Sequence, residues 1–155
     1  MSLFQLLFGE WIQLLFHFNG RVNRAKYWLS FLIYLAALLF LYILGVVVGA
    51  LIGIPDVATL LFVIAFVGVV ISATAVAVKR LHDRNKSGWW LLLFYGVPSM
   101  LGGIGRYAGY ELVFQLAGTL LSIWALVELG ILRGTRGRNN YGSDPLAVGN
   151  MRTRR

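Results

Sequence analysis

Four long apolar runs without a basic residue divide this chain, and almost all of its lysines and arginines lie at alternate ends of those runs. The basic residues form three clusters, within positions 21–26, 79–86 and 133–155, and Arg106 is the single exception among the 14. Loops rich in Lys and Arg stay on the cytoplasmic side of a membrane. The pattern therefore predicts a four-pass membrane protein whose two termini and middle loop are cytoplasmic.

The predicted fold is all-α and polytopic, with spans at about residues 27–52, 57–78, 88–104 and 112–132 inside a transmembrane domain of residues 19–145. A helix needs about 20 apolar residues to cross a hydrocarbon core of about 30 Å. The third run is shorter than that and carries Gly96 and Pro98 near its middle. We expect it to be short or kinked.

The two ends of the chain call for separate predictions. In residues 1–18, Gln5, Gly9, Gln13 and His17 recur every fourth residue, with Glu10 beside them. This spacing draws a polar stripe along one helical face, which favours an amphipathic helix lying in the membrane interface. A fifth span would break the charge pattern. Residues 146–155 are predicted to form a flexible basic tail on an anionic membrane surface.

Composition supports a membrane protein and excludes several functions. Hydrophobic residues make up 59% of the chain and charged residues 13%, against soluble averages of about 45–50% and about 25%. The net charge of +8 lies beside apolar spans, where anionic phospholipid headgroups explain it, so nucleic acid is not expected as a partner. The chain has no Cys, which excludes disulfides and Cys-ligated zinc. We expect no metal and no cofactor.

Small residues recur at helical spacing in the first run. Gly45, Gly49 and Gly53 stand four residues apart, and such stripes let helix backbones approach closely in a membrane. Packing within one bundle is the favoured interpretation. A homo-oligomer formed through the same glycines is the other.

Three polar segments carry the most distinctive residues: FNGRVNRAKYW at 18–28, KRLHDRNKSGWW at 79–90 and GRNNYGSDP at 137–145. Together they resemble the bacterial domain-of-unknown-function family 805, small inner-membrane proteins of the YhaH and YhaI type. The family pattern reads F-x-G-R-x-x-R-x-x-Y-W, then R-L-H-D-x-x-x-S-G-W-W, then N-x-Y-G-x-D-P. The resemblance covers about Phe18 to Pro145 and implies a helical protein of the bacterial inner (plasma) membrane. It supplies no reaction, substrate or partner.

By the predicted topology, the three segments reach one membrane face and form a polar cytoplasmic cap. Its candidate residues are Arg21, Arg24, Arg80, Asp83, Arg84, Arg138 and Asp144. Because arginine forms bidentate pairs with carboxylate and with phosphate, two uses are open. In the first, Asp83 and Asp144 are the acids of an ion-pair network that locks the segments together. In the second, the arginines hold an anionic headgroup or phosphorylated solute.

Two further positions carry functional hypotheses. His82 beside Asp83 suggests acid–base chemistry, although neighbours on a helix point about 100° apart and no nucleophile accompanies them. Glu128 is the one acid within a predicted span. It is expected either to pair with Lys79 or Arg80 or to line a proton or solute path.

The leading functional hypothesis is therefore a non-enzymatic scaffold or binding protein whose arginine-rich cap engages an anionic lipid, ligand or protein partner. A small transporter or channel component using Glu128 is the alternative. A membrane-embedded enzyme using His82 and Asp83 is the third hypothesis.

Overall fold

The computed structural model describes residues 3–54 and 56–147, and these residues contain helices and connecting loops without a β-strand. Its helices are α1 (Leu3–Phe16), α2 (Arg24–Ile52), α3 (Val57–Asp83), α4 (Val97–Ala108) and α5 (Glu111–Leu126). A π-helical segment, Leu92–Gly96, leads into α4, and a second one, Val127–Ile131, continues α5. The all-α prediction is confirmed. The predicted basic tail lies largely outside the described residues.

Three helical stretches are long and apolar enough to cross a membrane: Arg24–Ile52, Val57–Asp83 and Glu111–Ile131. They correspond to the first, second and fourth predicted spans. The first two helices extend further than the apolar runs, because polar residues shape their ends. At the start of α2, the Asn23 side chain caps the helix by accepting the Lys26 N–H at 2.9 Å.

The third predicted span, residues 88–104, is not among those three stretches. Its helix is continuous but changes from π-helical to α-helical hydrogen bonding at Gly96, next to Pro98. The Val97 N–H bonds to the Leu92 carbonyl, five residues back, and Pro98 has no N–H to continue the α-helical pattern. The helix then runs to Ala108 and ends at Gly109, whose φ of 72° suits a helix C-cap.

The described chain divides into two compact units, the first of which comprises residues 3–17, 28–54 and 56–76. Here Gly45 is buried against α3, and a Cβ added to it would lie 2.6 Å from the Ala58 Cα. The end of α1 is attached to α3, because the Ser72 hydroxyl donates to the Leu15 carbonyl at 2.8 Å. Gly45 thus serves close packing within one protomer.

The first unit leaves part of the N-terminal prediction open. A helix is present at Leu3–Phe16, but its position in the membrane interface stays a prediction. The side chains of Gln5 and Glu10, which belong to the expected polar stripe, lie outside the described residues.

The second unit comprises residues 18–27 and 77–147 and contains all the polar segments except Trp28. Its buried apolar cluster consists of Leu81, Phe94, Ala125 and Leu129. The Trp124 ring packs edge to face on Phe94, with ring centroids 5.3 Å apart. This cluster fixes the end of α3 against α5 and its π-helical continuation.

Replacing Gly45 with Ala should lower the thermal unfolding midpoint in detergent, because the added methyl overlaps the α3 backbone. Overpacking of this kind costs about 1–3 kcal/mol. Gly68→Ala is the matched control, since nothing lies within 4 Å of a Cβ at that position. Equal midpoints for the two variants would contradict the close approach of α2 and α3.

Candidate functional site

Helix α3 ends in a tight turn that brings its last residues back toward the helix. Asn85 adopts a left-handed conformation with a φ of 57°, which Asn tolerates better than most residues. The Asn85 N–H bonds to the His82 carbonyl and the Lys86 N–H to the Leu81 carbonyl, both at 2.9 Å. This is the Schellman pattern of helix termination. It places Asp83 in the last turn of α3 and Lys86 just beyond it.

The Asp83 carboxylate binds two guanidinium groups. Arg21 places Nε and Nη2 at 3.0 Å from Oδ1, and Arg80 places Nη1 at 2.5 Å from Oδ2. The side chains of Arg21, Arg80 and Asp83 are only 2%, 0% and 4% exposed. We call these three residues the clasp. Because all three charges are desolvated, loss of one partner leaves another charge buried without compensation.

The arginines also bond to backbone carbonyls beyond α5. The bonds are Arg80 Nε to Leu129 at 2.7 Å, Arg80 Nη2 to Leu132, Arg24 Nη1 to Ile131 at 2.8 Å, Arg84 Nη1 to Arg133 at 2.5 Å, Arg21 Nη2 to Thr135 at 2.5 Å, and Arg21 Nη1 to Gly137 at 2.7 Å. The last carbonyls of a helix lack intrahelical donors, and positive charge is favourable there. Arg80 and Arg24 therefore cap this helix end, and Arg84 and Arg21 hold the loop that follows it.

The loop after α5 is bonded to the end of α3 by its own polar groups. Thr135 donates to the Asp83 carbonyl from its N–H at 2.8 Å and its hydroxyl at 3.0 Å. The Asn139 side chain donates to the His82 carbonyl at 2.8 Å. Gly134 is required nearby, because a Cβ there would overlap the Asp83 carboxylate. The loop thus closes over the clasp.

His82 and Asp83 have separate partners and do not form an acid–base pair. Both carboxylate oxygens of Asp83 bind arginines, whereas His82 Nδ1 lies 3.2 Å from the Gly20 carbonyl. The His82 ring stacks on Tyr141, with centroids 3.9 Å apart and planes within 6°. Successive residues of a helix point in different directions. This side chain therefore connects the polar segments.

Glu128 has different partners from those expected. Its Oε1 lies 3.0 Å from Arg84 Nε and 2.9 Å from Lys86 Nζ, and its side chain is 4% exposed. The Lys86 ammonium also lies 4.3 Å from the centroid of the Trp90 ring, a favourable cation–π distance. The sequence offered Lys79 or Arg80 as the partner of Glu128, and in the structure Arg80 binds Asp83. Only the turn at Asn85 brings residues 84–86 to Glu128.

The predicted cap residues Arg138 and Asp144 are not brought into the clasp. Arg138 is exposed, and it has no ion pair with another described residue. Asp144 accepts N–H bonds from Leu146 at 2.9 Å and Gly137 at 3.2 Å. These bonds, that of Leu146 first, and the charges of Arg21 and Arg133 lower the pKa of Asp144. The second buried acid is thus Glu128 instead of Asp144.

The sequence carried no signal for Thr135, which lies outside the three polar segments and whose role in an ordinary loop cannot be read from its residue type. Asn139 begins the third motif, but its hydrogen bond to the His82 carbonyl was not predicted. Within residues 3–54 and 56–147, no group of three or more His, Asp or Glu side chains is placed to hold a metal ion.

A family model described as "Protein of unknown function (DUF805)" matches residues 15–143. The chain belongs to the DUF805 family. This span includes the clasp, Glu128 and the loop that closes over them. Hydrogen bonds between the three polar segments hold them together within this span.

Three DUF805-like proteins of Escherichia coli K12 are similar over most of their length. The uncharacterized protein YiiR is 34% identical over 139 residues, covering 85% of this chain and 88% of YiiR. The inner membrane protein YhaI is 30% identical, covering 83% and 85%. The inner membrane protein YhaH is 27% identical, covering 83% and 86%. No solved structure matches the chain significantly.

Asp83→Asn should destabilise this DUF805 protein strongly, because it removes the anion from two buried guanidiniums. Breaking a buried pair in this way costs about 3–5 kcal/mol. SDS-induced unfolding monitored by circular dichroism measures the loss. Asp144→Asn is the control and should have a small effect, since its carboxylate binds only backbone N–H groups.

A double-mutant cycle tests whether the loss arises in the clasp. Asp83→Asn and Arg21→Gln should be strongly non-additive, because each removes the same interaction. Additive losses would show that Asp83 acts elsewhere.

Proposed function

We propose that this DUF805 protein is a four-pass protein of the bacterial inner membrane with both termini in the cytoplasm. It acts as a non-enzymatic scaffold whose cytoplasmic basic surface binds anionic phospholipid headgroups. Support comes from three apolar helices of spanning length, from two relatives named as inner membrane proteins, and from the alternating basic clusters.

The fourth pass is assigned to the helical stretch Leu92–Ala108. At about 1.5 Å per residue it is about 25 Å long, slightly less than a typical hydrocarbon core, and local thinning of the bilayer accommodates such a mismatch. Tyr107 and Tyr110 at its far end are exposed, as expected for aromatic residues at a membrane–water interface. With this fourth pass, all three basic clusters lie on the same, cytoplasmic side of the membrane.

The exposure of Arg133, Arg136 and Arg138 carries the lipid-binding proposal. These residues, which we call the outer arginines, directly follow the apolar helix that ends at Ile131, and all are exposed. The clasp arginines, in contrast, are buried and bonded to carboxylate and carbonyl oxygens. A basic residue near an anionic membrane surface contributes about 1 kcal/mol of attraction. The outer arginines are therefore better placed for headgroups than the clasp arginines.

The rival functions have less support from the site. The Glu128 carboxylate is already neutralised by Arg84 and Lys86, which disfavours a role as a proton or solute carrier. His82 is stacked on Tyr141 and lies against the Gly20 carbonyl, which disfavours general acid–base catalysis.

Single-cysteine labelling tests the topology, since the chain has no native Cys. We expect a membrane-impermeant maleimide applied outside spheroplasts to label Asp56→Cys and Tyr107→Cys but not Ser143→Cys. All these positions are exposed. A three-pass protein would give the opposite result at the last two positions, protection at Tyr107→Cys and labelling at Ser143→Cys.

Exchange of all outer arginines for glutamine should reduce the preference for anionic lipid several-fold without lowering thermal stability. The preference is measured with spin-labelled phosphatidylglycerol and phosphatidylcholine in reconstituted membranes. Wild-type preference should fall with added salt, because exposed charges are screened. Arg106→Gln, at the opposite end of the spans, should change little. An unchanged preference in the triple variant would refute the proposed surface.

A further inference from the structure

The second unit contains an apolar crevice of about 180 Å³. Its walls are formed by Tyr27, Phe94, Tyr95, Ser122, Ala125, Leu126 and Leu129. The crevice lies where the π-helical segment Leu92–Gly96 faces α5. A single water needs only about 10–15 Å³ measured in this way, so the space suits several methylene groups. Its walls belong to segments assigned to the membrane.

One part of the crevice wall is polar. The hydroxyl groups of Tyr27 and Tyr95 hydrogen-bond to each other. A phenolic hydroxyl both donates and accepts hydrogen bonds, which suits the ester oxygens of a glycerolipid. The remaining walls are mainly aliphatic and aromatic. The crevice thus places polar hydroxyl groups beside an apolar wall, just as a phospholipid places its ester groups beside its acyl chains.

Arg24 lies beside this polar part. It precedes Tyr27 by one helical turn, about 4.5 Å along the axis and on the same face of α2. Its Nη1 donates to the Ile131 carbonyl at 2.8 Å, and Ile131 follows the lining residue Leu129 by two positions. The Arg24 side chain is exposed, and a guanidinium has five N–H donors. Phosphate can therefore approach Arg24 from solvent.

A second basic residue lies near Arg24. Both Arg24 and Arg133 line a small cavity of about 20 Å³, together with Asn23 and with acidic Asp83 and Asp144. The Asp83 charge is compensated by the clasp, and the Asp144 carboxylate accepts N–H bonds from its own loop. The charges of Arg24 and Arg133 therefore exceed the single charge of Asp144, which favours an anion beside Arg24.

We propose that the crevice holds one acyl chain of an anionic phospholipid whose phosphate pairs with Arg24. The ester region of the lipid lies against the Tyr27 and Tyr95 hydroxyls, and the chain follows the apolar wall toward Ser122. This inference rests on the proposed function for the orientation of α2, whose first turn lies at the cytoplasmic surface. The protein would thus have one defined binding site for a single lipid in addition to the exposed surface formed by the outer arginines.

Native mass spectrometry of the full chain, released from detergent with defined lipids, tests this site. The probes are phosphatidylglycerol and phosphatidylcholine with identical acyl chains. The wild-type protein should retain one phosphatidylglycerol about fivefold more tightly than one phosphatidylcholine, the effect expected for one arginine near an anionic group.

Two phenylalanine variants test the acyl chain. Ser122→Phe should fill the crevice and abolish retention of both lipids. Thr119→Phe is the matched control, because both residues are exposed on α5 and both hydroxyls bond to the carbonyl four residues earlier, at 3.0 and 2.8 Å. Thr119 does not line the crevice. Thermal unfolding establishes that both variants fold, and equal retention in folded variants would overturn the site.

Two glutamine variants test the headgroup. Arg24→Gln should keep the bound lipid but lose the fivefold preference for phosphatidylglycerol. Arg136→Gln should keep the bound lipid and also the preference. Equal retention of the two lipids by the wild type would identify an uncharged occupant and overturn the proposal. Detection of a protein dimer without bound lipid would also overturn the proposal.

These outcomes separate the crevice from the proposed function. The double variant Arg136→Gln/Arg138→Gln removes two outer arginines but keeps Arg133 beside Arg24, so it reports on the diffuse surface and should leave the single retained lipid in place. Loss of lipid in Ser122→Phe, with no effect of the double variant on the preference for anionic lipid, would support the crevice and refute the surface. Retention of lipid in Ser122→Phe, together with a lost preference for anionic lipid in the arginine variant, would refute the crevice and leave the proposed surface intact.

Discussion

The carboxylate of Asp83 is the group on which the rest of the polar site depends. It allows Arg21 and Arg80 to be almost completely buried, and those guanidiniums then reach the backbone of the chain beyond α5. Without the anion, two positive charges would remain in a desolvated environment, which is unfavourable. One carboxylate therefore determines where the loop after α5 runs and how residues 18–27 are held.

The balance of charge in this site could not be deduced by counting acids and bases. Arginines outnumber acids in the motif segments, and that excess left an anion site within the cap open beside an ion-pair network. In the structure, most of the excess is met by carbonyl oxygens at the end of the π-helical segment Val127–Ile131 and in the following loop. Such acceptors exist at every helix end and leave no mark in the sequence. Anion binding is therefore better assigned to residues outside the clasp, such as Arg133 and Arg24.

Features of the fold that depend on local sequence could be predicted, whereas features that depend on contacts between distant residues could not. Apolar runs and charge alternation depend on local composition, and they located three helices of spanning length within a few residues. The disturbance near Pro98 was also visible, because a missing N–H is a property of one residue. The partner of Glu128 was not visible. It depends on a turn at Asn85 that directs Arg84 and Lys86 away from the axis of α3. Residue spacing along a continuous helix does not predict such a reversal of the chain.

The segment from Phe18 to Tyr27 connects the clasp with the crevice. Arg21 binds Asp83, and the Val22 N–H bonds to the Lys79 carbonyl at 3.2 Å, so this part of the segment is fixed to the end of α3. Arg24 and Tyr27 follow on the first turn of α2, where Tyr27 lines the crevice and Arg24 donates to the Ile131 carbonyl. The ion pair therefore sets the position from which α2 starts, and through it the position of the lipid-binding groups. A scaffold that must recognise one phospholipid benefits from this arrangement, because binding groups held in place lose little conformational entropy when the ligand arrives.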